Sequence, residues 1–214
     1  MRYTRQIAIL LAFLLGALNI GVSAETTGRK VLDKAASFIR KSGDIRVEFA
    51  ATSFRGTTED GSVSGTLLLQ GNKFQLNTPE MITWFDGTTQ WSYLPENEEV
   101  NITNPTEKEI QAVNPYVFLD LYKKGYRITM QESTLRDMPT YEVHLVAQRA
   151  EIAAQELYID VRKSDFCPLC VRVRQENIWN RISIRQFSGG QHFTAGDFTF
   201  PKEKYPEAEL IDLR

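Results

Sequence analysis

Residues 84–103 read WFDGTTQWSYLPENEEVNIT, and the pairing this stretch dictates decides the fold. Asp-Gly between alternating apolar residues is the strongest short-range hairpin signal, because both residues tolerate the left-handed backbone of a tight turn. A two-residue turn at Asp86-Gly87 pairs Phe85 with Thr88, Trp84 with Thr89 and Ile82 with Trp91. A four-residue loop over 95–98 then pairs Tyr93 with Val100 and Trp91 with Ile102. Paired residues share a face of the sheet. One side of this meander therefore collects Ile82, Trp84, Trp91, Tyr93, Val100 and Ile102, and the other Thr83, Gln90, Ser92, Asn101 and Thr103.

The same period of two runs outward in both directions. Upstream, Ile45, Val47, Phe49 and Ala51 alternate with polar residues, Val63, Leu67 and Leu69 share a face, and so do Phe74 and Leu76. The stretches TTEDGS and QGN between them carry turn chemistry. Downstream, strands are expected around Tyr126/Ile128/Met130, Tyr141/Val143/Leu145, Leu157/Ile159/Val161, Val171/Val173 and Ile182/Ile184. Their alternate positions are mostly charged: Arg127, Glu142, His144, Glu156, Asp160, Arg172, Arg174, Arg181 and Arg185.

Two helical segments interrupt the strands. Over 29–41, Val31, Leu32, Ala35, Phe38 and Ile39 make one apolar stripe, stopped by Gly43. Thr106 to Glu109 fits a capping box, and Asn114-Pro115 opens a second helix carrying Val117, Phe118, Leu121 and Tyr122. The tail from Phe198 reads as irregular structure ending in a short extended piece.

About ten antiparallel strands, each apolar on one face, need that face covered. A two-sheet sandwich would do so. The local connections and the two striped helices favour instead one strongly curved sheet, since wide sheets curl. The expected class is mainly β with α: one strongly curved antiparallel sheet around an apolar hollow, with the striped helices as cover.

The first residues read as an export signal. Arg2 and Arg5 precede an apolar run over 7–18, and Val22-Ser23-Ala24 supplies the small residues a signal peptidase requires. Cleavage there leaves residues 25–214 as one domain; a retained N-terminal anchor is the alternative. Residue 25 is Glu rather than Cys, so no lipid-modified terminus is indicated. The formal net charge is −2, and both basic residues of the leader leave with it. A mildly acidic chain without a basic stripe argues against nucleic acid as a partner.

Covalent chemistry has little to stand on. His144 and His192 are the only histidines, far apart, and no GxSxG, HExxH or phosphate-cradling loop occurs. No cofactor is indicated, and no zinc-ligand spacing. Cys167 and Cys170 are the only cysteines; an export compartment allows a disulfide between them. Positions three apart on an extended strand lie about 10 Å from one another, too far for a disulfide. A bond therefore requires a turn, which Pro168 permits; otherwise the two are structural thiols.

The order of these elements, from leader and helix through the DG-x-x-x-W-x-Y-x-P meander to LYIDVRKSDFCPLCVRVRQENIWNRISIRQF and the FTFPKEKYPEAELIDLR tail, resembles the LolA family. These are periplasmic carriers of outer-membrane lipoproteins, and the likeness is to the members from Bacteroides-type bacteria. It implies an unclosed antiparallel half-barrel with a helical lid over an apolar cavity, in a periplasmic, monomeric, non-enzymatic protein that takes acylated lipoproteins from an inner-membrane ABC transporter. The cargo would pass to an outer-membrane acceptor or to the membrane itself. A sensor module of the same fold that binds lipid without shuttling it is the alternative. On this reading Val47, Phe49, Leu67, Leu69, Phe74, Leu76, Ile82, Trp84, Trp91, Tyr93, Val143 and Leu145 face the acyl-chain cavity, and Val31, Phe38, Phe118 and Leu121 line the lid. At one place the chain departs from the family. An Arg-Pro, whose arginine ties sheet to lid, follows the second strand in familiar members, where this chain has Gly71-Asn72.

Overall fold

The structure is a computed structural model that describes residues 19–106 and 122–214, with side chains described from Thr27 onward. The second predicted helix, with Phe118 and Leu121, lies outside the described residues. Helix α1 spans Asn19–Lys41, starting ten residues ahead of the predicted stripe. Its end is closed by Gly43 at φ +66°, with the Ser42 hydroxyl donating to the Phe38 carbonyl at 2.8 Å. No helix among the described residues is long and apolar enough to cross a membrane.

Among the described residues, twelve strands follow in one sheet. They are β1 (Asp44–Arg55), β2 (Thr58–Gln70), β3 (Lys73–Asn77), β4 (Ile82–Phe85), β5 (Gln90–Leu94) and β6 (Glu99–Thr103), then β7 (Tyr126–Leu135), β8 (Met138–Ala147), β9 (Glu156–Arg162), β10 (Pro168–Gln175), β11 (Ile178–Gln191) and β12 (Glu209–Asp212). Their order across the sheet is β12-β6-β5-β4-β3-β2-β1-β11-β10-β9-β8-β7. Of these pairings only β12–β6 is parallel. The end strands β12 and β7 do not pair with each other, so the sheet is one curved, unclosed sheet rather than a sandwich, as the local connections favoured and the family resemblance implied.

The curl has visible causes. The ladder between β1 and β11 shifts register at Glu48/Phe49, and the one between β9 and β10 at Pro168/Cys170; such irregularities bend a strand and raise its twist. The tightness of the curl shows at Arg136, in the β7–β8 turn. Its guanidinium donates to the carbonyls of Leu169 in β10 (3.3 Å) and Ile184 in β11 (2.9 Å), strands that are not neighbours of β7 or β8 in the sheet.

Two turns differ from expectation. TTEDGS was expected to link β1 and β2, but the hairpin turns at Gly56-Thr57, where Gly56 takes φ +63°, and Thr58 to Ser62 extend β2. That end of the hairpin is exposed, so polar residues can occupy both its faces. At the β4–β5 turn the predicted two-residue loop is a four-residue one. Asp86 Oδ1 accepts the backbone N–H groups of Thr88 and Thr89, both at 2.8 Å, and the Asp86 N–H donates to the Thr89 carbonyl. An aspartate side chain that captures the amides two and three residues on closes a wider turn. Phe85 therefore pairs with Gln90, Trp84 with Trp91 and Ile82 with Tyr93. The shift is two residues, so every side chain keeps its predicted face. The Tyr93–Val100 and Trp91–Ile102 pairs of the next hairpin are as predicted.

Candidate ligand-binding site

The face that carries α1 is built from the alternating apolar residues of most of the sheet. Val31, Leu32 and Ala35 of the helix sink into a core with Tyr126, Ile128, Val143, Leu145, Leu157 and Val173. Further along, Ile39 packs on a second core of Ile45, Val47, Leu69, Phe74 and Phe85, and the Phe38 and Phe187 rings meet at 5.1 Å. Between these two cores runs a strip that is only half-buried: Phe49, Leu67, Leu76, Val171, Ile182 and Ile184. It is continuous across the ladder, since Leu67 pairs with Leu76, Phe49 with Ile184 and Val171 with Ile182. Large apolar side chains ordinarily sink below the surface of a domain. A partly open row of them on an inward face is the arrangement a non-protein apolar ligand needs.

Of the twelve predicted cavity residues, eight belong to this inner face: Val47, Phe49, Leu67, Leu69, Phe74, Leu76, Val143 and Leu145. The other four do not. Trp84 pairs with Gln75, whose side chain is opposite in direction to those of Phe74 and Leu76. Trp84, Ile82, Trp91 and Tyr93 therefore lie on the outer face, together with Val100 and Ile102. The polar set Thr83, Gln90, Ser92, Asn101 and Thr103 instead continues the inner face. Alternation shows which residues of a hairpin share a side, but not which side of the sheet that is. Strand β4 is in fact apolar on both faces, for Trp84 and Phe85 are adjacent and both buried.

What covers the outer aromatics is the tail. After β11 the chain crosses the outer face through two short 3-10 turns, Ala195–Phe198 and Lys202–Lys204. Phe200 and Tyr205 pack on Trp84, and Tyr205 approaches Tyr93 at 4.5 Å between ring centroids. Strand β12 then anchors the segment at the sheet edge beside β6.

Inner-face residues absent from the predicted cavity set include Ile45, Phe85, Ile128, Leu157, Val171, Val173, Ile182, Ile184 and Phe187. The alternation had already singled out all of these except Phe85 and Phe187. Phe187 falls three residues after Ile184, because the bulge at Arg185 breaks the period.

The outer face of β8–β11 is a ladder of charges that satisfy one another. Arg172 pairs with Glu142 at 2.5 Å and Asp160 at 3.4 Å, and Arg174 with Glu156 at 3.1 Å. His144 contacts Glu156 at 2.8 Å and stacks on Tyr158 with centroids 4.1 Å apart. Burial raises the Asp160 carboxyl above its ordinary range against the opposing pull of Arg172. For Glu156, burial pushes upward, but hydrogen bonds from His144, Arg174 and Tyr158 together hold it below that range. Cys167 and Cys170 are free, buried thiols, with Cys170 Sγ 3.9 Å from the Ser183 hydroxyl on this outer face. Among the described residues, no three His, Cys, Asp or Glu side chains converge as a metal site.

In sequence comparison the family model described as outer membrane lipoprotein carrier protein LolA matches residues 20–177. The chain belongs to the LolA family. A search of curated protein sequences finds no significant match. Among solved structures, an uncharacterized conserved protein from Thermus thermophilus has a TM-score of 0.57 at 11% identity, covering 87% of this chain and 99% of that one. LprF from Mycobacterium bovis has a TM-score of 0.51 at 11% identity, over 82% and 97% of the two chains. The LolA superfamily protein NE2245 from Nitrosomonas europaea has a TM-score of 0.43 at 12% identity, over 81% and 97%. At these identities the likeness is one of fold.

The place where LolA proteins carry the Arg-Pro is here the β2–β3 turn, with Gly71 at φ +58°. Helix α1 is tied elsewhere: Arg29 Nη1 donates to the Tyr122 carbonyl at 3.0 Å, and the Tyr122 hydroxyl donates to Asp33 at 2.5 Å.

Proposed function

We propose that this LolA-family protein is a periplasmic carrier that binds the acyl chains of lipoproteins on its inner face and moves them from the inner to the outer membrane without covalent chemistry. The observation that supports it most is the half-buried apolar strip of Phe49, Leu67, Leu76, Val171, Ile182 and Ile184 on the face that carries α1. Each methylene removed from water is worth about 0.8 kcal/mol, so a ~16-carbon chain costs about 13 kcal/mol to expose. Acyl cargo crossing an aqueous compartment therefore has to be shielded throughout. The donor on this reading is an inner-membrane lipoprotein-releasing ABC transporter, and the acceptor an outer-membrane receptor or the membrane itself. The mature protein begins at Glu25.

The test is twofold. Mass spectrometry of the protein purified from its own compartment is expected to find acylated lipoprotein bound. In a transfer assay, loaded protein is expected to deliver that cargo to liposomes. Absence of any bound acyl group overturns the proposal; binding without delivery replaces the carrier with a lipid-binding sensor.

A further inference from the structure

One end of the inner face is not apolar. Along β1 the inward row runs Ile45, Val47, Phe49, Ala51 and then Ser53; along β11 it runs from Ile184 and Ile182 to Asn180; along β10 from Val171 and Val173 to Gln175. Two neighbouring strands thus change from hydrocarbon to hydrogen-bonding side chains at one level, Ser53 beside Asn180, and β10 follows one pair further out, where Gln175 stands opposite Ile178. At that level lies a cavity of about 740 Å³, between the β1–β2 hairpin, the β10–β11 turn and the β8–β9 loop. Ile152 and Ile178 form its apolar wall, and Ile152 also packs against the core under α1.

The polar lining has a definite character. Asn180 Oδ1 accepts from the Ser53 hydroxyl at 2.7 Å, which leaves the Asn180 amide nitrogen as a donor. Gln155 Oε1 accepts from Arg174 at 3.1 Å, which leaves its amide nitrogen likewise. Asp60 and Glu176 add two carboxylates; Arg55 pairs with Asp60 at 3.1 Å, while Glu176 stands in the β10–β11 turn at φ +52°. Among the described residues, no lysine or arginine lines the cavity. Amide donors suit carbonyl oxygens, and carboxylates suit N–H and ammonium groups. A phosphate or free carboxylate would meet like charge with nothing in that lining to compensate it.

We infer that this cavity is the head-group subsite of the acyl-binding face: it takes an amide-rich, uncharged or cationic head, as at the acylated end of a peptide, and excludes anionic heads. The inference rests on the acyl-binding reading and adds the ligand's direction. The head lies at Ser53, Asn180 and Glu176, and the hydrocarbon runs along the strip toward Phe49, Ile184 and Leu67.

The experiment compares two ligands of equal chain length, a palmitoylated lysine-containing hexapeptide and palmitate, on the mature protein and on Glu176→Lys and Asn180→Asp. Both positions are at least partly exposed, and circular dichroism checks their folding. The wild type is expected to prefer the acylpeptide. Glu176→Lys is expected to weaken it about two- to fivefold, the scale of one partly exposed charge pair, and to strengthen palmitate. Asn180→Asp is expected to weaken palmitate further. A diazirine on the first residue of the peptide is expected to label residues within 150–155 and 175–180. Equal binding of both ligands, no response to either substitution and labelling elsewhere overturn the head-group subsite and leave the acyl-binding face standing. Failure of both ligands to bind any variant overturns the subsite and the acyl-binding face together.

Discussion

The indole of Trp84 meets the ring of Phe200 edge-on, with centroids 5.6 Å apart and ring planes at 73°. The contact joins the outer face of β4 to the tail and leaves Trp84 only 2% exposed. Trp84 thereby belongs to a separate core on the outer face, with Tyr93, Val100 and Ile102. Trp84→Ala is expected to cost about 3–5 kcal/mol, as for a large aromatic removed from a closed core. Acyl binding, measured where the variant is still folded, is expected to be unchanged. A loss of binding at constant fold would place the indole in the site after all.

The inner strip is expected to respond in the opposite way. Ile182→Ser at the half-buried centre removes apolar contact without opening a closed core. Acyl affinity is expected to fall about tenfold, equivalent to about 1.4 kcal/mol, with a smaller loss of stability than for Trp84→Ala. Titration with a fluorescent fatty-acyl probe beside urea denaturation separates the two quantities.

Gly65 is paired with Phe49, and a Cβ there would collide with the Asn77 carbonyl oxygen and lie 2.9 Å from Phe49 Cζ. The ring can lie over this strand only because no side chain stands beneath it. Gly65→Ala is expected to destabilise by about 1–3 kcal/mol through overpacking. It should also push Phe49 out of the strip, so urea denaturation and acyl affinity should fall together.

The link between β9 and β10 is held by a forked ion pair, Arg162 Nε and Nη2 to the two Asp165 oxygens at 2.8 and 2.7 Å. The Cys167 N–H donates to the same carboxylate at 3.1 Å. The Arg162 hydrogen bonds, aided by the backbone, hold the Asp165 carboxyl below its ordinary range despite partial burial. A lowered carboxyl contributes stability above its unfolded-state pKa and loses it as pH falls through the folded one. Asp165→Asn is therefore expected to be less stable than wild type at pH 7. The difference should vanish in acid, as thermal unfolding at a series of pH values would show.

Burial pushes the Cys167 thiol up to about 11. Both cysteines are expected to resist a disulfide-exchange reagent at pH 8 and to react only on unfolding, with two thiols titrated per chain. Prompt reaction of either in the native protein would contradict the structure.

Much of this was legible in the sequence because a strand repeats every two residues. The alternation marked eleven of the twelve strands, and the stripe of Val31, Leu32, Ala35, Phe38 and Ile39 marked the helix face that packs on the sheet. Even where the Asp86 side chain widened the turn, an even shift left the faces intact. Strand β12 was legible only as a short extended piece, since its parallel pairing with β6 joins residues about a hundred positions apart, a relation no local pattern carries.

By itself the sequence marked eleven of the strands, the striped face of α1, the antiparallel meander of neighbouring strands and which side chains of each hairpin lie together, all consequences of local backbone geometry. Only the tertiary structure decided that the Trp84 side faces outward and the Phe74 side inward. That choice hangs on the pairing of Gln75 with Trp84 across the β3–β4 turn and on the tail that returns to cover the aromatics. The physical reason is that a period of two divides a strand's side chains into two sets without labelling them. The label comes from what packs on each set, here α1 on one side and Phe200 with Tyr205 on the other.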